Sequence, residues 1–450
     1  MPAYIEPRVL KGFRDYLPTA EIQRKKLIQK LETTFSQFGF VPIDTPVLEY
    51  AEILLGKGGG ETDKQVYRFK DHGERDVALR FDLTVPFARF MAQHVEELYL
   101  PFRRYHIAKV WRGENTQRGR YREFMQCDFD IVGTDTVSAD ADIVLTIIAA
   151  LKSLDIGGFT VRINHRGLFN RFLENKGMLE KSSSILRAVD KLEKIGAQAT
   201  RELLVAETDD KIADDILYFI QPEVSFQDTL NKMRSLCAAE DPIADEAYQR
   251  IRAVYDITKK AALADYIQLD PSITRGLDYY TGIVFETALT KMPQIGSVCS
   301  GGRYNELANL YTDRKLPGVG ASVGLDRLIA ALETIEAQKT QQPCPAVLIG
   351  TLDGTLFADY HALAMKLRMQ GISVEVYPEA KKLPVQFAFA EKKKIPWMIM
   401  LDSKALDANE IPLRILANRE TILFKTLDEL VSFLKAQLSD LNTINGQDNG

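Results

Sequence analysis

The sequence predicts an α+β domain built on an antiparallel sheet, carrying a helical insertion and followed by a smaller C-terminal α/β domain. Three features carry that expectation. Two strand-like runs, FRRYHIAKVWRGEN (102–115) and YREFMQCDFDIVG (121–133), flank a polar, glycine-containing connection in the manner of a hairpin. From about 166 to 265 long helical patterns replace strand texture, which returns at SITRGLDYYTGIVFETAL (272–289). Past the polar linker EAQKTQQPCP (336–345) the rhythm becomes strand–helix–strand–helix, as in a small parallel unit.

The remaining elements follow in order. AEIQRKKLIQKLETTFSQFGF (20–40) has apolar residues at helical spacing and stops at Gly39. FVPIDTPVLE (40–49) holds two prolines and reads as an extended segment at a sheet edge or subunit contact. DVALRFDLTVPFARFMAQH (76–94) reads as a strand, a turn at Asp82–Pro86 and a helix. CSGGRYNELANLY (299–311) reads as a Gly-Gly turn opening a helix, and GVGASVGLDRLIAALETIE (318–336) as a glycine-rich strand running into a helix. The expected divisions are a core over 1–335 with the insertion at about 166–265, a linker over 336–345, an α/β domain over 346–438 and a disordered polar tail over 439–450.

Composition narrows the function. The 450 residues suit two or three domains, and 46% hydrophobic with 26% charged residues is ordinary globular material. A net charge of −5 argues against general coating of nucleic acid and leaves room for a local basic patch. The N-terminus shows no apolar signal core, and the longest apolar run, IVLTIIAAL (143–151), is too short to span a bilayer, so no membrane role is expected. Cys127, Cys237, Cys299 and Cys344 lie far apart without a CxxC pair, which fits a reducing cytosol better than zinc or disulfides.

Four clusters are more particular than core residues need to be. Alternation puts Arg112 and Glu114 on one strand face, and the returning strand brings Arg120, Arg122 and Phe124 opposite. Arginine forks match phosphate oxygens and an aromatic can stack on a base, so the set suits a nucleoside triphosphate; it also reads as a salt-bridged exposed hairpin. Gln126, Asp128 and Asp130 share one face, either an inward face satisfied by a ligand or the wet face of the sheet. Asp82 and Thr84 stand at a strand–helix turn, where either could cap the helix or the carboxylate could hold an ammonium group. Gly318, Gly320 and Gly324 precede Asp326-Arg327, a flat strand delivering an arginine at a helix start. No GxxxxGK[ST] occurs, and GVGASVG misses the GxGxxG spacing, which excludes a P-loop and leaves a Rossmann site without support. Finally TRGLDYYTG (274–282) sets Arg275 beside Tyr279 and Tyr280, a lining for something both charged and ring-shaped.

As a set these residues resemble the class II aminoacyl-tRNA synthetases, and within them the histidyl-tRNA synthetase family. WRGEN…RGRYREF resembles the second class motif, GVGASVGLDRL the third, and the region of Pro46 the first, a dimer element. TRGLDYYTG with SGGRYNEL resembles the histidine-specific signature. The resemblance implies a class II catalytic fold, ATP as substrate with Mg²⁺, no prosthetic group and no protein metal site, a homodimer in the cytoplasm, and tRNA(His) and L-histidine as partners. It implies that Arg112 and Arg275 grip the α-phosphate, Arg327 the γ-phosphate, Phe124 the adenine face with Glu114 near its amino group, and that Arg120 joins the ATP site. Asp82, Leu83 and Thr84 would hold the amino group of histidine with Gln126, and Asp130, Tyr279, Tyr280 and Tyr304 would read the imidazole. The C-terminal domain would bind the anticodon; its 12 basic and 12 acidic side chains over 344–440 balance, leaving Lys381, Lys382 and Lys392–Lys394 as visible basic candidates or as solvated helix faces.

Overall fold

The computed structural model describes residues 4–56, 65–273, 280–335 and 345–447. It divides into one unit formed by Met1–Tyr16 with Gln23–Lys339 and a second formed by Leu17–Ile22 with Thr340–Gly450.

The first unit contains strands β1 (Val41–Pro42), β2 (Leu48–Tyr50), β3 (Arg68–Lys70), β4 (Asp76–Leu79), β5 (Phe102–Trp111), β6 (Glu123–Val132), β7 (Phe159–His165), β8 (Ile267–Leu269), β9 (Ile283–Leu289), β10 (Cys299–Tyr304) and β11 (Gly318–Gly324). Eight of them make one sheet in the order β1-β5-β6-β11-β10-β9-β7-β8; its inner pairs are all antiparallel, and the two edge strands are parallel to their neighbours. The expected hairpin is the longest pairing, ten residues from Phe102↔Val132 to Trp111↔Glu123. A three-stranded sheet, β2-β4-β3, stands beside it.

The pleat separates two faces. Cys127, Phe129 and Ile131 of β6 and Val319, Ala321 and Val323 of β11 are buried in the main core with Ile143, Val144 and Ile147 of the helix Val137–Ser153. The other face holds Asp128 between His106 and Ser322, and Asp130 between Arg104 and Gly320. Asp128 and Asp130 are each only 2% exposed, so this part of the face is not wet, and its charges must find partners inside the fold.

Glycine makes that burial possible. The Gly301-Gly302 pair forms no turn; both residues lie within β10 and pair on both sides. A Cβ on Gly301 would stand 2.1 Å from the carbonyl oxygen of Gly320, and one on Gly320 would stand 2.0 Å from the carboxylate of Asp130. A Cβ on Gly318 would enter the ring of Tyr304 at 2.4 Å. The glycines are required by close approach of backbone and buried side chains.

Within the stretch 166–265, read from the sequence as a helical insertion, α-helices run at Arg166–Asn175, Ser182–Val189, Leu192–Glu207, Asp210–Ile220, Phe226–Ser235 and Pro242–Lys260. Asp209, Ser225 and Asp241 cap three of these starts through side-chain oxygens. The last helix is tied to the sheet: Asp140, fully buried, receives Arg250 of that helix at 2.6 Å and Arg303 of β10 at 2.8 Å.

The second unit has β12 (Val347–Ile349), β13 (Val374–Val376), β14 (Trp397–Ile399), β15 (Ile411–Ile415) and β16 (Thr421–Phe424), ordered β13-β12-β14-β15-β16. Only β12, β13 and β14 are parallel; β15 and β16 add an antiparallel hairpin that the strand–helix rhythm did not reveal. Asn409 takes a left-handed φ of 50° before β15, where a glycine turn is absent from the sequence. The last helix spans Leu427–Gln447, past the expected start of a disordered tail at 439, because no proline or glycine interrupts the chain before Gly446.

Replacing Gly301 by alanine is expected to lower the stability of the first unit by about 2–4 kcal/mol, since the obstructing atom belongs to backbone. Thermal melting of this variant at a level equal to the parent would contradict the close-approach account.

Candidate active site

Arg112 to Arg122 do not continue the strands. β5 ends at Trp111 and β6 begins at Glu123, so Arg112, Glu114, Arg120 and Arg122 belong to the connection and strand alternation does not apply to them. The loop is held by Arg112 N–H donating to the Arg122 carbonyl at 2.9 Å and by a turn in which Gly119 takes φ of 73°. Gly119 rests on Arg327, 3.4 Å from its Cα to the position a Cβ would occupy, so the loop lies against the start of the helix Leu325–Ile335.

Beneath this loop is a cavity of about 250 Å³, lined among others by Asp82, Thr84, Arg112, Glu114, Arg120, Phe124, Gln126, Tyr280 and Arg327. Nine of the sequence-chosen residues thus share one space. At one end Arg112, Arg120 and Arg327 share the lining, and two of them approach one carboxylate: Glu114 is 3.9 Å from Arg112 and 4.0 Å from Arg120. Arg327 donates to the Ser297 carbonyl, and burial together with neighbouring Arg120 pulls its pKa down to about 10, the mark of a cation placed among cations. Arg112 donates to the Phe81 carbonyl at 2.9 Å and lies over the Phe124 ring at 5.1 Å. Arg122 turns away from the cavity lining, donating from Nε to the Glu114 carbonyl at 3.3 Å.

The other end is acidic and amide-lined. Asp82 does act at the helix start. Its Oδ1 accepts the Val85 N–H at 3.1 Å at the start of the helix Thr84–His94, while Oδ2 is buried with no hydrogen-bond partner. Burial raises its pKa to about 6. Gln126 donates from Nε2 to Ser322 Oγ at 3.0 Å and leaves Oε1 buried and unsatisfied. A buried carboxylate oxygen and amide oxygen without donors are what an ammonium ligand would satisfy.

Asp130 and Tyr304 lie outside the cavity lining, bonded to one another: the tyrosine hydroxyl donates to Oδ1, and Arg104 Nη2 is 2.8 Å from Oδ2. Leu83 is buried and contributes its carbonyl, which accepts from Arg104 at 3.3 Å. Arg275 and Tyr279 lie outside the described residues. Sequence reasoning missed Ser297, Ser300, Ser322 and Tyr121 in the lining, as well as Arg104; the serines carried no signal, and an arginine inside a ten-residue strand was the one visible oddity.

Residues 12–328 match the family model of histidyl-tRNA synthetase, and residues 346–437 match that of an anticodon-binding domain. Over 437 residues the chain is 47% identical to a histidine–tRNA ligase of Treponema denticola, covering 95% of this chain and 97% of that one. A histidine–tRNA ligase of Rhodopirellula baltica is 46% identical over 425 residues, covering 93% and 95%. The crystal structure of a Nostoc histidyl-tRNA synthetase shares the fold with a TM-score of 0.84 at 30% identity, over 96% of this chain and 100% of the other. The fold is that of the class II aminoacyl-tRNA synthetases. The chain belongs to the histidyl-tRNA synthetase family.

Asp128 supplies a test of the buried part of the polar face. Burial raises its carboxyl from the ordinary 3.8 to about 7, with Arg104 opposing and Asp130 adding to the shift. The native state therefore holds a proton that the unfolded chain releases, and stability falls as pH rises across that window. Asp128→Asn lacks this loss, so its melting temperature relative to the parent should climb between about pH 4 and pH 7 and level off above. A constant difference across that range would contradict the burial of an unpaired acid.

Proposed function

We propose that the chain ligates L-histidine to tRNA(His) through a histidyl-adenylate, releasing pyrophosphate and then AMP. The observation that carries this reading is a single cavity with converging arginines at one end and unpaired buried oxygen acceptors at the other. The substrate carboxylate attacks the α-phosphorus of ATP and the bond to the pyrophosphate oxygen breaks. A terminal ribose hydroxyl of the tRNA then attacks the activated carbonyl carbon, and AMP leaves with the bonding pair.

In this reading Arg112, with Arg275, holds the α-phosphate, where negative charge grows in the transition state. Arg327 and Arg120 take the outer phosphates, and the Phe124 face receives adenine with Glu114 accepting from its amino group. Asp82 Oδ2, Thr84 and Gln126 Oε1 accept from the histidine ammonium. Asp130, Tyr279, Tyr280 and Tyr304 read the imidazole; a substrate without ring nitrogens leaves such groups unpaired, a discrimination of roughly 10⁴–10⁵. No side chain acts as a covalent nucleophile, so positioning and fixed charge carry the rate. Mg²⁺ enters on the oxygens of the triphosphate. The C-terminal domain takes the anticodon. Val41, Leu48 and Tyr50, 47%, 40% and 50% exposed in a single chain, support a homodimer through the Pro46 region. No described helix is long and apolar enough to cross a membrane, and the buried free cysteines Cys127, Cys237 and Cys299 suit the cytoplasm.

Exchange of labelled pyrophosphate into ATP should occur with histidine and with no other amino acid. Exchange with a different amino acid, or none at all in folded protein that binds histidine, would overturn the reading. Asp82→Asn should raise the histidine KM roughly 10–100-fold, the loss of a charge-assisted hydrogen bond, while leaving the ATP KM near the parent value. As pH falls below about 6 the parent should approach the variant, because protonation removes the same charge.

A further inference from the structure

The N-terminal segment reaches the cavity from outside, through residues that the roles above leave unused. Arg14 Nη2 is 2.7 Å from Asp326 Oδ1, across 312 positions of sequence. The same guanidinium donates to the hydroxyls of Tyr121 at 3.1 Å and Tyr16 at 2.6 Å. It lies over both rings, with its carbon 4.2 Å and 4.3 Å from their centroids. The Tyr16 hydroxyl also donates to Asp326 Oδ1, and Asp326 Oδ2 accepts the backbone N–H of Met125 at 2.7 Å. Asp326 is 3% exposed and both its oxygens are engaged, so it is built as a clamp and has little left to offer a ligand. Nearby, the Gly12 carbonyl accepts the Arg122 N–H at 2.8 Å, and the Arg122 side chain fills the space where a Cβ on Gly12 would go.

Three segments therefore meet at Arg14: the N-terminal stretch 12–16, the return of the hairpin through Tyr121 and Met125, and the start of the helix Leu325–Ile335. The last two each carry a phosphate-facing arginine, Arg120 and Arg327, and Gly119 already touches Arg327. We propose that Arg14 is a positioning residue: residues 12–16 form a strap that locks the hairpin return against this helix start and so sets the spacing of Arg120 and Arg327 for the phosphates of ATP. The inference rests on the ATP reading of that end of the cavity. Arginine is required because a flat group must lie between two rings while its fork spans three acceptors, which a lysine cannot do. The histidine end, around Asp82, Thr84 and Gln126, has no contact with the strap through these bonds and stays in place without it.

Arg14→Ala, Tyr16→Phe and Arg327→Ala are compared in the pyrophosphate-exchange assay, titrating ATP and histidine separately, with melting temperatures recorded. For Arg14→Ala, kcat/KM for ATP should fall roughly 10–100-fold while the histidine KM stays within about twofold of the parent. Tyr16→Phe should shift the ATP value in the same direction by a smaller factor. An unchanged ATP value overturns the strap, and so does a joint loss for both substrates with a falling melting temperature, which would mark a merely structural contact. If Arg14→Ala does not accumulate as folded protein, Tyr16→Phe decides alone by the same criterion. If Arg327→Ala leaves ATP binding untouched, the reading of that cavity end fails, an outcome separate from an intact Arg327 effect without an Arg14 effect.

Discussion

Arg104, with no solvent exposure, is the cation on which the polar face of the sheet depends. It stands 2.8 Å from Asp130, reaches the Leu83 carbonyl, and packs over the Phe87 ring at 4.2 Å. Asp82 and Asp128 are buried in the same field, and Arg104 holds each closer to ionisation, with Arg112 contributing more at Asp82. The buried carboxylates beside this enclosed arginine depend on its staying in place, because a buried charge that loses a counter-charge is costly in a low dielectric. The glycines of β10 and β11 serve the same end. They let the Tyr304 ring and the Asp130 carboxylate sink into the sheet where a methyl group would expel them.

Two kinds of arginine follow from this. Arg104 and Arg303 are fully enclosed and spent on carboxylates and backbone carbonyls. Arg112, Arg120 and Arg327 face a cavity, where Glu114 approaches Arg112 and Arg120 at distances too long for good hydrogen bonds. The first kind makes structure. The second leaves an excess of positive potential directed at a space, which is how a fold prepares for a polyanion.

Much of this was legible in advance. The hairpin announced itself by two runs of ten paired residues, and the chemistry-bearing arginines by sitting where neither core nor strand has use for them. Period two correctly grouped Gln126, Asp128 and Asp130, yet periodicity names a face without saying what covers it, so burial of that face was not readable. Gly301-Gly302 misled because glycine serves both turns and close approach, and only the neighbouring strand tells which. The partnership of Arg14 with Asp326 joins the two ends of the catalytic unit, and a local pattern carries no information about such a pair. The hairpin β15–β16 was hidden by short strands that follow a parallel rhythm without an extra signal.

Asp140 has a mechanical consequence. It is shared by Arg250 of the insertion and Arg303 of β10, the strand that ends in Tyr304, and Arg250 also pairs with Asp135 at 2.6 Å. Swinging the last insertion helix away would strip a buried carboxylate of one of its two counter-charges, a penalty of about 3–5 kcal/mol. The insertion is thus no hinged flap. It is an outrigger bolted to a strand that lines the cavity through Ser300, and any load taken by its far helices is delivered to that strand as torque.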